Sequence, residues 1–169
     1  IIKRKFRWTL EISTPCGFLP PWTCKTAARP HVEIEETELN FLNAVTWLPG
    51  KAKWQPITVT YYDVANASLQ GLFNWIATIY NFTDPVNLPM SEKRGWAGTG
   101  LLTLYDGCGA PLEAWFLGSM FPTSVNFGDL DYSSGEFCTV DLTLRYAEVG
   151  YQSFCGGIRP VSCCKGCFN

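Results

Sequence analysis

Residues 48–80 read LPGKAKWQPITVTYYDVANASLQGLFNWIATIY, and this stretch decides the fold. Its opening, Leu48-Pro49-Gly50-Lys51-Ala52-Lys53, is turn chemistry carrying cations. Residues 54–63 are β-branched, aromatic and alternating: Ile57, Val59 and Tyr61 share one face, Thr58, Thr60 and Tyr62 the other, which predicts a half-buried strand. Asp63 to Asn66 supply N-cap chemistry for a following helix. Leu69, Leu72, Phe73, Ile76, Ile79 and Tyr80 recur at three- and four-residue steps and predict its apolar stripe. A lone amphipathic helix must bury that stripe, and the rest of the chain offers mostly strands to bury it against. The expectation is a mostly β (α+β) domain, an antiparallel β-barrel or sandwich with one flanking α-helix.

Working outward, residues 6–12 alternate as a first strand, and residues 13–22 form a Pro- and Gly-containing turn region with Cys16, followed by Cys24. Residues 31–43 read as a long strand: Val32 and Ile34 point one way, Glu33 and Glu35 the other. Glu36 and Glu38 then take the face of Val32, so the strand bulges or leaves the core there. Such a strand either projects to pair with a neighbour or forms an exposed hairpin. Residues 81–100 read as a loop with Glu92, Lys93 and Arg94 at its tip. Residues 101–105 and 112–117 flank Asp106-Gly107-Cys108-Gly109-Ala110-Pro111, a hairpin signal. A further extended piece is expected over 125–132. Residues 136–146 give the cleanest strand, with Cys138, Val140, Leu142, Leu144 and Tyr146 on one face and Thr139, Asp141, Thr143 and Arg145 on the other.

The 169 residues suit one domain, and 47% hydrophobic against 17% charged residues disfavours disorder. Seven Trp, seven Tyr and eleven Phe exceed the needs of one small core, so either the core is aromatic-rich or some rings serve protein–protein contacts. A net charge of −2 offers no footprint for tight nucleic-acid binding. No apolar run approaches the roughly 20 residues of a membrane span, so no membrane insertion is expected. The cationic start IIKRKFRW lacks the apolar segment of a signal peptide.

Two blocks together carry a family resemblance: residues 47–80, with Gly50, Lys51, Trp54 and Pro56 at a strand entry before the helix, and residues 104–149, with Trp115, Pro122, Val125 and Asn126 before the final strand. In order, spacing and setting they resemble the tail tube proteins of contractile-tailed (T4-like) bacteriophages, over about residues 6–151. The resemblance implies the phage tail-tube fold for residues 1–151 and a Cys-rich C-terminal extension over 152–169. It implies a structural virion subunit and no enzyme or cofactor: homohexameric rings stack into a hollow conduit inside a contractile sheath, assembled in the host cytoplasm. Implied partners are other copies, the sheath protein, tube initiator or baseplate and terminator proteins, and, transiently in the lumen, tape measure protein and DNA. Secretion-system and pyocin tubes share this fold, and a tube initiator or baseplate protein is the variant within the class. On this layout Glu33, Glu35, Glu36, Glu38 and Asp141 are candidate lumen-lining acids, whose charge would keep DNA from sticking; solvated surface acids are the plainer alternative.

The extension CGGIRPVSCCKGCFN departs from the family, bringing the chain to eight cysteines. Cys155, Cys163, Cys164 and Cys167 could hold a metal, since the last two have zinc-knuckle spacing, but the first pair is badly spaced. A redox-active CxxC would need a helix behind it, which the C-terminal position does not offer. Disulfides fit the even count and the turn placement. The tail cluster is too close in sequence to pair wholly within itself. Cys16, Cys24, Cys108, Cys155, Cys163, Cys164 and Cys167 are therefore candidates for bridges between subunits, formed after the particle leaves the reducing cytoplasm, while Cys138 is expected to be a buried free thiol.

Enzyme chemistry finds little support. His31, the single histidine, sits among acids at a strand start, and no phosphate-cradling Gly loop occurs. A glycosidase-type carboxylate pair stays open, although the acids cluster as a solvated face would. A secreted, disulfide-stapled binding module is the alternative of a different class.

Overall fold

The computed structural model describes residues 3–65, 67–80 and 93–154. The elements are β1 (Trp8–Thr14), β2 (Gly17–Leu19), β3 (Cys24–Ala27), β4 (His31–Phe41), β5 (Ala44–Gln55), β6 (Ile57–Tyr62), α1 (Ala67–Ile79), a single helical turn (Lys93–Trp96), β7 (Gly98–Tyr105), β8 (Pro111–Asn126), β9 (Thr139–Arg145) and β10 (Glu148–Ser153). Among the described residues every pairing is antiparallel. The expected mostly β architecture with a flanking helix is what forms.

The strands run in the order β2-β1-β7-β8-β9-β6-β3, with β10 also on β8. The long β8 serves two sheets: up to Met120 it pairs with β7 and β10, and from Phe121 with β9. Ser119 marks the corner, with φ at 54° and its hydroxyl donating to Glu148 Oε1 at 2.9 Å. The fold is therefore a sandwich with one strand shared around the bend, as orthogonal corners are made. Leu10, Ile12, Leu102 and Leu117 from one sheet face Ile57, Val59, Val140, Leu142 and Leu144 from the other, all buried. These are the positions that alternation assigned inward.

The helix covers the end of the sandwich where β1 finishes and β7 begins. Gly71 lets it approach Cys16 and Gly17, where an added Cβ would meet the Cys16 carbonyl at 3.4 Å. Its buried stripe is rotated from the expected one. Leu72 and Trp75 are fully buried and Ile76 and Ile79 partly so, while Phe73 and Tyr80 are about half exposed. Trp75 wins the inward place because its indole N–H donates to the Trp96 carbonyl at 2.7 Å, satisfying the one polar atom of a large buried ring.

Other differences from expectation have local causes. Residues 48–53 belong to β5, and the strand expected over 54–63 is divided at Pro56 into the end of β5 and β6. Pro49-Gly50 forms a bulge inside a ladder: Ile34 opposes Ala52 and Glu36 opposes Pro49, so β5 carries one extra residue. A proline is tolerated there because neither side of the hairpin is paired further among the described residues. The extended piece expected over 125–132 stops at Asn126, and Gly128 then takes φ 75°. Beyond the strand expected to be last, β10 adds to β8 as far as Ser153.

Candidate assembly surfaces

The β4–β5 hairpin has no core of its own. All of β4 and all of β5 except Trp54 and Gln55 are exposed. Its attachment to the sandwich is at the base, where Trp54 packs on Tyr146 with ring centroids 6.2 Å apart and its carbonyl accepts from Arg145 at 3.4 Å. Ile34, Leu39, Phe41, Leu42, Val45 and Trp47 are each more than half exposed along it. Leu42, at the two-residue tip, also sits at φ 54°, a left-handed geometry that costs a leucine about 1–2 kcal/mol. A two-stranded ribbon alone is marginal in water, and this much apolar surface marks an interaction site.

Register divides the expected lumen acids. Glu33 and Glu35 lie on the face away from Trp54, together with Lys53 and Gln55. There Lys53 pairs with Glu35, Gln55 Nε2 donates to Glu33 at 2.6 Å, and His31 stands 3.6 Å from Glu33. His31 is thus an exposed strand-end histidine. Glu36 and Glu38 lie on the opposite face with Pro49, Trp47 and Val45, and make no ion pair among the described residues. Asp141 is on the outer side of β9, accepting from the Thr60 hydroxyl at 2.6 Å. The polarity of the ribbon therefore crosses over at the bulge: its apolar side is that of Val32, Ile34 and Trp54 at the base, and that of Leu39, Phe41 and Leu48 toward the tip.

A second surface lies at the end of β1 opposite the helix. A cleft of about 440 Å³ opens there between the two sheets, with Trp8, Leu102 and Leu104 as its floor and Lys3, Arg4, Lys5, Lys25 and Arg29 around it. Two of these cations, Lys3 and Arg29, are held by a buried charge beside the cleft: Glu113, in register with Leu104 on β7, is 1% exposed. Glu113 pairs with Lys3 and with Arg29 Nη2 at 2.5 Å, and accepts longer bonds from Trp115 Nε1 and the Tyr151 hydroxyl, both at 3.5 Å. Burial pushes its carboxyl up, but the Lys3 hydrogen bond and the charges of Arg29 and Lys3, with Trp115, outweigh it and hold the group below the ordinary carboxylate range. The cationic start of the chain thus folds back onto a glutamate 110 residues away, a pairing with no signature in local pattern.

Cys16, Cys24 and Cys138 form no disulfide among the described residues. Cys138 is exposed, not buried as its strand parity suggested, because β9 begins only at Thr139 and the chain before it is an open loop. Cys24 lies against the buried Tyr61 hydroxyl, and burial pushes its thiol up to about 12, partly offset by Tyr61. It is therefore a poor nucleophile and a weak candidate for exchange. Cys108 sits in the β7–β8 turn, where Asp106 Oδ1 accepts from the Cys108 and Ala110 amides at 2.8 and 2.9 Å, the turn expected from sequence. Cys155, Cys163, Cys164 and Cys167 lie outside the described residues, as do Glu92 and the rest of residues 155–169. Among the described residues no group of three or more His, Cys, Asp or Glu side chains is placed to hold a metal, and no helix is long and apolar enough to cross a membrane.

No family model matches the chain, and no curated protein matches it. Solved structures do. The sheath/tube terminator of the extracellular contractile injection system PVC aligns at TM-score 0.69 and 18% identity, over 90% of this chain and 98% of that one. The tube terminating cap of the anti-feeding prophage aligns at 0.67 and 18%, over 90% and 92%. The chain has the tube-protein fold. The Hcp1 protein from E. coli EAEC 042 shares it more distantly, at 0.53 and 12% identity over 90% and 95%. At these identities the likeness is one of architecture, and it embraces injection-system proteins rather than T4-like phage tubes in particular.

Proposed function

We propose that the chain is a structural, non-catalytic subunit of the tube in a contractile injection apparatus, of which a phage tail is one form. Copies join edge to edge into six-membered rings, and rings stack into a hollow conduit within a sheath. The observation that carries this reading is the bare β4–β5 hairpin: two strands whose outer edges are unpaired among the described residues, with large exposed apolar side chains. Pairing with neighbouring copies satisfies those edges, and a rotation that closes gives a ring. The likeness to a tube terminating cap and a sheath/tube terminator supports the same setting, and keeps a capping or baseplate role as the variant in which one ring forms instead of many.

In such a tube Glu33, Glu35 and Asp141, which point away from the core, are proposed to face the lumen and repel a polyanionic cargo such as DNA. Sheath, baseplate or initiator, terminator and tape measure proteins are the partners this role entails, and a virion tail is the proposed location for a phage version. Cys16 and Cys108, together with the cysteines of residues 155–169, are proposed to bridge copies once the particle is outside a reducing cytoplasm. Sedimentation of the purified full-length chain, followed by negative-stain microscopy, tests the reading: hollow six-fold rings or tubes are expected, and a monomer at every concentration refutes it. On a non-reducing gel, oxidised particles should run above the monomer; a monomer band alone rules the bridges out.

A further inference from the structure

Two surfaces on the chain are complementary, yet one copy does not bring them together. On the hairpin, Glu36 and Glu38 share a face with Trp47 and lack cationic partners among the described residues, whereas Glu33 and Glu35 on the other face are already engaged. At the mouth of the cleft, Arg4 and Lys5 have no carboxylate partner among the described residues, while Lys3 and Arg29 are held by Glu113. The cleft floor, Trp8 with Leu102 and Leu104, is apolar, and Trp47 is 56% exposed. A strip of two acids beside an indole thus matches a pair of cations beside an apolar floor.

Geometry keeps the match from closing within one copy. Glu36 lies seven residues beyond Arg29, and the ribbon runs outward at about 3.3 Å per residue. Its acids therefore stand roughly 20 Å or more from their own cleft along an extended ribbon.

We propose that the Glu36–Glu38–Trp47 face of one copy docks in the Arg4–Lys5 cleft of another. The contact is heterologous: each copy gives a hairpin and receives one, so it propagates from subunit to subunit. It rests on the tube-subunit reading and deepens it by naming which surfaces meet. It also gives the ribbon's acids different roles, with Glu33 and Glu35, held by Gln55 and Lys53, on the face proposed for the lumen and Glu36 and Glu38 used in assembly. Desolvated charges beside an apolar anchor also set partner and register, since a wrong alignment leaves them unpaired.

The test is a charge swap between two full-length variants, E36K/E38K and R4E/K5E, each checked for a native unfolding midpoint. Alone, each sets like charge against like, and the association constant should fall roughly tenfold or more. Mixed in equal amounts, hairpin and cleft are complementary at every junction, and assemblies of wild-type size should return. Wild-type-like assembly by either variant alone overturns the docking while leaving the tube reading intact. So does failure of the mixture to recover although both variants are folded. A wild-type chain that never assembles overturns both.

Discussion

Glu113 offers a sharp test because its environment is lopsided. The carboxylate is 1% exposed, whereas the Lys3 and Arg29 side chains are 38% and 54% exposed. In Glu113→Gln the cations lose a partner but can turn to water, and the amide still accepts hydrogen bonds. The cost should be that of charge-assisted hydrogen bonds, about 2 kcal/mol. In a Lys3→Met/Arg29→Met double variant the carboxylate stays buried with no counter-charge, the costlier half of a broken buried pair, about 3–5 kcal/mol. The pH dependence should also reverse. In the wild type the folded-state pKa is depressed, so this stability is fully present above the unfolded value, 4.5, and is lost as pH falls through the folded value. In the double variant desolvation dominates and raises the pKa, so the protein should lose stability as pH rises above the ordinary carboxylate range. Urea unfolding followed by tryptophan fluorescence, at a concentration where the chain is monomeric, measures both effects between about pH 2 and pH 8. A double variant no less stable than Glu113→Gln, or with unchanged pH dependence, refutes the buried-charge reasoning.

Trp75→Ala should cost about 3–5 kcal/mol by emptying the helix–sandwich contact, and Trp75→Phe less, about 1–2 kcal/mol, through the lost hydrogen bond to Trp96; denaturant midpoints rank the two. Alkylation of the native protein at pH 8 should label the exposed Cys138 well before Cys24, whose thiol is held protonated; equal rates by mass spectrometry would contradict the burial of Cys24. Gly50→Val should disturb the hairpin bulge, since an added Cβ falls 2.9 Å from the Glu35 carbonyl, yet leave the core intact. Assembly is then expected to weaken while the unfolding midpoint stays nearly unchanged, and a large drop in the midpoint would show that the ribbon supports the core after all.

Where one face of a strand is buried and the other wet, the sequence says so plainly. Ile57, Val59 and Tyr61 on β6 and Val140, Leu142 and Leu144 on β9 were readable for that reason, and with them an antiparallel sandwich. The change of face at Glu36 was equally readable, because it shows in residue type alone. What misled was chemistry with two meanings. Pro49-Gly50 is a turn signal, but on a ribbon with free edges it makes a bulge at little cost, and β5 was hidden by it. The helix stripe was nearly right in period and wrong in angle, because Trp75 hides its polar atom only through a carbonyl 21 residues away. The EVGYQS strand β10 lies half exposed on β8 and shows no clear alternation. The cleft was beyond reach for a different reason. It joins the N-terminal cations, Arg29 and Glu113 across separations of 84 and 110 residues, which no local period encodes.

The claim beneath all of this is that the β4–β5 ribbon and the sheet edges are completed by other copies of the chain. Hydrogen exchange followed by mass spectrometry, comparing unassembled and assembled protein peptide by peptide, measures it most directly. The amides of β4 and β5 should exchange fast in the monomer and become strongly protected on assembly, while those of β6 and β9 are protected in both. A ribbon already protected in the monomer, or still unprotected in the assembled particle, would contradict the account.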